Sequence, residues 1–156
     1  LVDDGHYKIG FIGAKKELNM SKDRLNGYKQ GLYSRNIEVN DQLIFEMDEF
    51  SEEQGCLGAE KILKDKDVTA IVATDDLLAL GAYKVVQKLN RNEISIVGFN
   101  NIPVLQYKNS PISSVDINSE KLGYYATKLL IDKLEGRKSK GYYVIETKLI
   151  DRFNKK

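Results

Sequence analysis

The chain has 156 residues, 42% hydrophobic and 30% charged, the balance of one globular domain, long enough to bury a core and too apolar to stay disordered. Lys plus Arg (24) nearly cancels Asp plus Glu (23), leaving a net charge of +1, so the chain itself offers no electrostatic reason to bind nucleic acid. Its lone cysteine, Cys56, excludes an internal disulfide and fits a reducing cytoplasm.

Leu1-Val2-Asp3-Asp4-Gly5-His6 reads as the end of a helix with Gly5 as its C-cap, so the sequence looks like a piece of something longer. Tyr7–Ile12 is a strand closed by Gly13. A helix is predicted from about residue 22 to 34, N-capped by Ser21, with Leu25, Tyr28 and Leu32 on its apolar face. Gln42–Met47 is the second strand. Ser51-Glu52-Glu53-Gln54 is a capping-box start for a helix to about Lys64 that buries Leu57, Ile62 and Leu63. Asp67–Thr74 is the third strand, and its all-apolar centre, Ala70-Ile71-Val72-Ala73, suits a strand covered on both faces. Asp75 or Asp76 caps the next helix, about 77–89, with Leu78, Ala82, Val85, Val86 and Leu89 in its apolar set. Ile94–Val97 is the fourth strand.

Strand and helix alternate through Val97, which predicts right-handed crossovers and an α/β fold, a parallel sheet with helices on both faces. After Gly98 the rhythm breaks into a long loop carrying Pro103 and closed by Pro111. A short strand-like piece follows over Ser113–Ile117. Asn118 or Ser119 then caps a long amphipathic helix to about Leu134, with Leu122, Ala126, Leu129, Leu130 and Leu134 on one side. A polar turn over 135–139 leads to a final strand, Tyr142–Ile150, rich in β-branched and aromatic residues, and to a short basic tail, 154–156. No apolar run approaches the roughly 18–20 residues of a bilayer span, and no secretory signal is visible.

In an open parallel sheet, ligands sit beyond the carboxyl ends of the strands. Behind the first strand come Gly13 and then Arg24, in the first part of its helix. Asp48, Glu49 and Phe50 follow the second, Thr74, Asp75 and Asp76 the third, and Phe99, Asn100 and Asn101 the fourth. An arginine, a carboxylate, an amide and an aromatic ring on one rim suit a neutral polyol, because hydroxyls both donate and accept while a ring face covers the C–H side of a sugar. Each residue also has a plainer reading. Asp75 and Asp76 could be helix caps and Arg24 a solvated helix residue. Phe50 could be the hydrophobic staple of the Ser51-capped helix, and Asn100 and Asn101 could simply turn the loop.

Catalysis finds little support. The one histidine, His6, precedes the first strand and so lies at the wrong end of the sheet. Cys56 has no partnering histidine, and no Gly-rich phosphate loop appears. A metal would want more carboxylate or imidazole ligands than this rim supplies, and no cofactor is implied.

In order and spacing, five segments resemble the lac-repressor/gal-repressor family of transcription regulators: Gly5–Gly13, Ser21–Tyr28, Phe50-Ser51 with Gly55, Ala73–Ala82 and Ile94–Asn101. Tyr107, Pro111–Val115, Leu122-Gly123 and Leu149–Arg152 fit the same pattern, so the resemblance covers nearly the whole chain. It implies a two-part effector-binding core like that of a periplasmic sugar-binding protein, in a cytoplasmic homodimer that reaches operator DNA only through an N-terminal helix-turn-helix absent from this chain. The effector it implies is a small molecule, often a mono- or disaccharide, with contacts at the positions of Arg24, Phe50, Asp75 and Asn100. The family often has Asn at the position of Asp75 and Asp at that of Asn100, so the acid and the amide are exchanged here.

By the same resemblance, residues 1–115 form the C-terminal effector-binding subdomain, 116–146 a remnant of the N-terminal subdomain, and 147–156 a tail returning to the first. The apolar face of the long helix is then expected to lack its native sheet. Leu80 and Tyr107 fall on the family's dimer surface, although Leu80 reads equally well as a core residue. Two other functions compete with the sensor reading: a sugar-binding protein feeding a transporter, and a small α/β enzyme. An upstream helix-turn-helix or signal peptide would separate the first two.

Overall fold

The computed structural model describes residues 1–14, 17–107, 110–138 and 141–153, apart from the side chain of Tyr107. The basic tail 154–156 and the dimer contact expected of the Tyr107 side chain therefore lie outside the described residues. Six strands form one sheet: β1 (Ile9–Ala14), β2 (Ile44–Met47), β3 (Ala70–Ala73), β4 (Ser95–Phe99), β5 (Ser113–Asp116) and β6 (Lys148–Ile150), in the order β2-β1-β3-β4-β5-β6. The first four run parallel, as the alternation predicts; β5 joins them in parallel beyond the point where that rhythm breaks, and β6 is antiparallel to β5. The helices are α1 (Asn19–Tyr33), α2 (Glu52–Ile62), α3 (Asp76–Lys88), the four-residue α4 (Val104–Tyr107) and α5 (Ser119–Leu134).

The period-2 geometry of the central strands divides the core in two. Ile12 on β1 and Ile71 and Ala73 on β3 join the larger cluster with Ile62 of α2 and Leu78 and Val86 of α3. Ile9, Ala70 and Val72 face the other way, towards Leu32 and Tyr28 of α1. Helices thus cover both faces. α2 and α3 approach closely because Gly81 has no side chain: a Cβ there would run into the Glu52 carbonyl. The Lys84–Glu52 ion pair spans the same seam.

Several boundaries move from their sequence-based positions. Ser21 is not a cap: α1 begins two residues earlier, and the buried Ser21 hydroxyl donates to the Ala14 carbonyl at the end of β1. Ser51 caps α2 as expected, accepting from the Gln54 N–H at 3.3 Å. Leu57 is exposed rather than buried, because Gly55, Gly58, Ala59 and Ile62 take the inward face of α2. The last strand shrinks from Tyr142–Ile150 to Lys148–Ile150, since only Asp116, Val115 and Ser114 are there to pair with it. Upstream of it, Tyr143 stacks on Tyr125 of α5 with ring centroids 4.3 Å apart.

The long helix forms where predicted but stands apart. Leu122, Tyr124, Leu130, Ile131 and Leu134 are all exposed, the last at 77%. Leu80, by contrast, is 4% exposed within the main cluster, so of its two readings the core one holds and its side chain has little surface to offer a second copy.

Candidate functional site

The parallel strands β1 to β4 end on one rim, and the helices that follow them begin there. α1 therefore presents Arg24 to the same space as Asp75, at the start of α3, and Asn100, just past β4. Three of the four expected residues meet. Arg24 donates through Nη2 to Asn100 Oδ1 at 3.4 Å and through Nη1 to the Thr74 carbonyl. Asn100 donates through Nδ2 to Asp75 Oδ2 at 2.7 Å. Asp75 Oδ1 accepts the Leu77 N–H at 2.7 Å, so Asp75 is the cap of α3 and a rim residue at once.

Phe50, the fourth, is half-buried against the main core cluster. It leads from β2 into α2, and β1 and β3 separate β2 from β4. The aromatic ring beneath Arg24 belongs instead to Phe99, whose centroid lies 4.5 Å from the guanidinium carbon. Phe99 ends β4 next to Asn100, and its place in the chain marked it only as one of a trio. A groove of about 430 Å³ continues from this pair along Tyr28, Val72 and Val97.

Burial lowers the pKa of Arg24, against the pull of Asp75 and Asp76, but a guanidinium remains charged throughout the physiological range. Beyond the bonds made among the described residues, three guanidinium protons, one amide proton of Asn100 and further lone pairs on Asp75 remain for a ligand. That residual set both donates and accepts.

Asp76, expected to be a cap if Asp75 was not, does something else. It is fully buried, accepting the Ile102 N–H at 2.8 Å and the Ser114 hydroxyl at 2.7 Å. Burial raises its pKa, and those two hydrogen bonds counteract the shift. Asn100 and Asn101 do turn the loop, both with positive φ, 98° and 51°. Asn101 faces away from Asp75: it donates to Asp116 at 3.1 Å and accepts from Arg152 at 2.7 Å. A second hollow, of about 670 Å³, opens on that side against Leu105, Pro111, Ile150 and Arg152. His6 sits before β1, at the opposite end of the sheet, against the Thr69 hydroxyl at 2.9 Å. Among the described residues, no three His, Cys, Asp or Glu side chains are grouped to hold a metal. No helix among them is long and apolar enough to cross a membrane.

Residues 1–153 match a family model described as periplasmic binding protein-like domain. The chain belongs to that family. It is similar to the ribose operon repressor of Haemophilus influenzae, 31% identical over 139 residues, which are 86% of this chain and 42% of that protein. Among solved structures it is similar to the complex of the transcriptional regulator CelR with cellobiose, at 27% identity and a TM-score of 0.89, over 97% of this chain and 48% of that one. A sugar-binding transcriptional regulator of the LacI family from Escherichia coli, solved with phosphate, matches at 28% identity and a TM-score of 0.86, over 97% of this chain and 55% of that one. The chain thus spans about half the length of the relatives it matches. It is a periplasmic-binding-protein-like effector domain of the kind LacI-family regulators carry, and those relatives are regulators, not enzymes.

Proposed function

We propose that this domain senses a neutral sugar, a mono- or disaccharide, for a cytoplasmic transcriptional repressor that controls a carbohydrate-use operon. The observation that carries the reading is the hydrogen-bonded line Arg24–Asn100–Asp75 on one rim, floored by Phe99. A pair of adjacent hydroxyls could accept from the guanidinium and donate to the carboxylate, and a charged ligand would leave one of those two groups repelled. The ribose repressor and the cellobiose-bound regulator among the relatives support the same class of effector. Regulators among the relatives favour a repressor over a transporter's binding protein. Operator DNA would be reached through a domain outside this chain, and the working form would be a homodimer. Phe50 would contribute from the β2 end of the rim only to a ligand larger than one ring. Residues 1–115 would form the effector-binding subdomain, 116–146 part of its partner subdomain and 147–156 the return.

The test is calorimetric titration of the full-length protein with D-ribose, cellobiose and other mono- and disaccharides, repeated with Asp75→Ala. Losing a hydrogen-bonding partner that a buried group needs costs about 1–3 kcal/mol, so the tightest sugar should weaken about 5- to 150-fold. Unchanged affinity places the site elsewhere.

A further inference from the structure

The turn that carries Asn100 is tied, through the neighbouring Asn101, to Arg152 near the far end of the chain. Asn100 and Asn101 are both in left-handed backbone, which L-residues keep only where the surroundings over-determine it. Three successive N–H groups are fixed here: Asn100 N–H to the Val115 carbonyl at 2.9 Å, Asn101 N–H to Ser114 Oγ at 2.9 Å, and Ile102 N–H to Asp76 at 2.8 Å. The Asn101 side chain adds two more ties. Its Nδ2 donates to Asp116, and its Oδ1 accepts from Nη2 of Arg152 at 2.7 Å. Arg152 is itself anchored, Nη1 to the Ile112 carbonyl at 3.1 Å and its backbone N–H to Ser113 Oγ at 2.8 Å. Adjacent residues of one strained turn therefore reach opposite ways, Asn100 to Arg24 and Asp75, Asn101 to Arg152 and Asp116.

We propose that Arg152 is a positioning residue for ligand recognition: through the amide of Asn101 it fixes where Asn100 stands between Arg24 and Asp75. The proposal rests on the reading above that Asn100 meets the ligand. Arg24 and Asp75 choose the sense of the Asn100 amide, since the flipped amide would set NH₂ against a guanidinium and oxygen against a carboxylate. Arg152 sets its place, because displacing Asn101 rotates the peptide that joins the two asparagines. Arg152 touches no ligand in this scheme.

The test compares Arg152→Gln, Asn101→Gly and Ser113→Ala in the full chain. Asn101→Gly keeps the left-handed backbone and deletes only the amide, so it reads the same step should Arg152→Gln not fold. Ser113→Ala removes a tie of the returning tail without touching the guanidinium. Three readouts are taken: the Nδ2 proton signals of Asn100 by NMR, the thermal midpoint, and calorimetric titration with D-ribose and with cellobiose. Arg152→Gln and Asn101→Gly should each move the Asn100 signals and weaken whichever sugar binds at least about fivefold, with little further loss when combined. Ser113→Ala should lower the midpoint and, since it loosens only the backbone anchor of Arg152, move the Asn100 signals less than Arg152→Gln does. Unmoved Asn100 signals in Arg152→Gln overturn the proposal, as does a full, independent loss of affinity on adding Arg152→Gln to Asn101→Gly. If neither sugar binds the parent chain, that failure falls on the sugar reading alone, and the Asn100 signals still decide the role of Arg152.

Discussion

The side-chain amide of Asn100 donates to the Asp75 carboxylate at 2.7 Å while its oxygen faces Arg24, so one neutral residue bridges an acid and a base. Asn100→Asp replaces that bridge with a second carboxylate beside the first. Two like charges at hydrogen-bond distance favour uptake of a proton in the folded state. The variant's stability should therefore fall as pH rises. At pH 8 it should lie about 1–3 kcal/mol below the parent, a midpoint drop of roughly 2–8 °C, with the gap narrowing towards pH 5. The double exchange, Asp75→Asn with Asn100→Asp, restores one acid and one amide and should recover most of the loss. Thermal scans at both pH values decide it, and equal parent and Asn100→Asp midpoints at pH 8 would show that the two side chains do not meet in solution.

The ring of Phe99 lies 4.5 Å from the Arg24 guanidinium carbon, in a half-buried setting. Cation–π contacts contribute about 0.5–2 kcal/mol. Phe99→Leu keeps an apolar side chain and removes the π face, so sugar affinity should fall by about 2- to 30-fold. Phe50→Leu, made in a ring that packs on the core from the β2 end, should change the affinity for a monosaccharide less. Calorimetry on both variants checks the assignment; a larger effect from Phe50 would return that residue to the centre of the site.

What the sequence made readable was local. Ser51 could be placed as a cap, and the cap of α3 narrowed to Asp75 or Asp76, because the partners, Gln54 and Leu77, are only three residues from Ser51 and two from Asp75. The alternation of apolar runs and helical spacings likewise specified the first four parallel strands and the three helices between them, but neither the parallel pairing of β5 nor the short α4. What it hid depends on contacts across the chain. Asp76 looks like an ordinary cap until Ser114, 38 residues on, is seen to donate to it. Arg152 and Asn101 are 51 residues apart, and nothing local to either announces their bond. Phe99 ends β4 and Phe50 follows β2, and only the order β2-β1-β3-β4 shows which one lies under Arg24.

Burial raises the pKa of Asp76 despite the hydrogen bonds from Ile102 and Ser114. The sign for stability follows from which state holds the proton more tightly. Below the ordinary aspartate range both states are protonated. Between that range and the raised folded value, only the folded state keeps its proton, so stability falls as pH rises through this window. Asp76→Asn keeps an oxygen for the Ile102 N–H and has no titration, so the difference in midpoint between variant and parent should shift in the variant's favour as pH climbs through the window. A pH series of thermal scans on the pair measures it, and a difference independent of pH would show that Asp76 does not titrate differently in the two states.

α5 tests how the apolar surface of this chain is used. A free helix of 16 residues is marginal in water, and this one leaves Leu122, Tyr124, Leu130, Ile131 and Leu134 in solvent. Its local supports include the Tyr125–Tyr143 stack, the Lys128–Asp132 pair at 2.8 Å and the Arg137–Asp132 pair at 3.8 Å. No residue of α5 joins either core cluster, whereas β1 and β3 lie between helices on both faces. Amide exchange in a dilute solution of this chain should therefore be fast through 119–134 and slow through 9–14 and 70–73. Raising the concentration should slow exchange in α5 alone if a second copy covers its apolar stripe. Protection in α5 equal to that of β3 at low concentration would mean that the helix has found a partner within the chain, and that residues 116–146 do not form part of a separate subdomain.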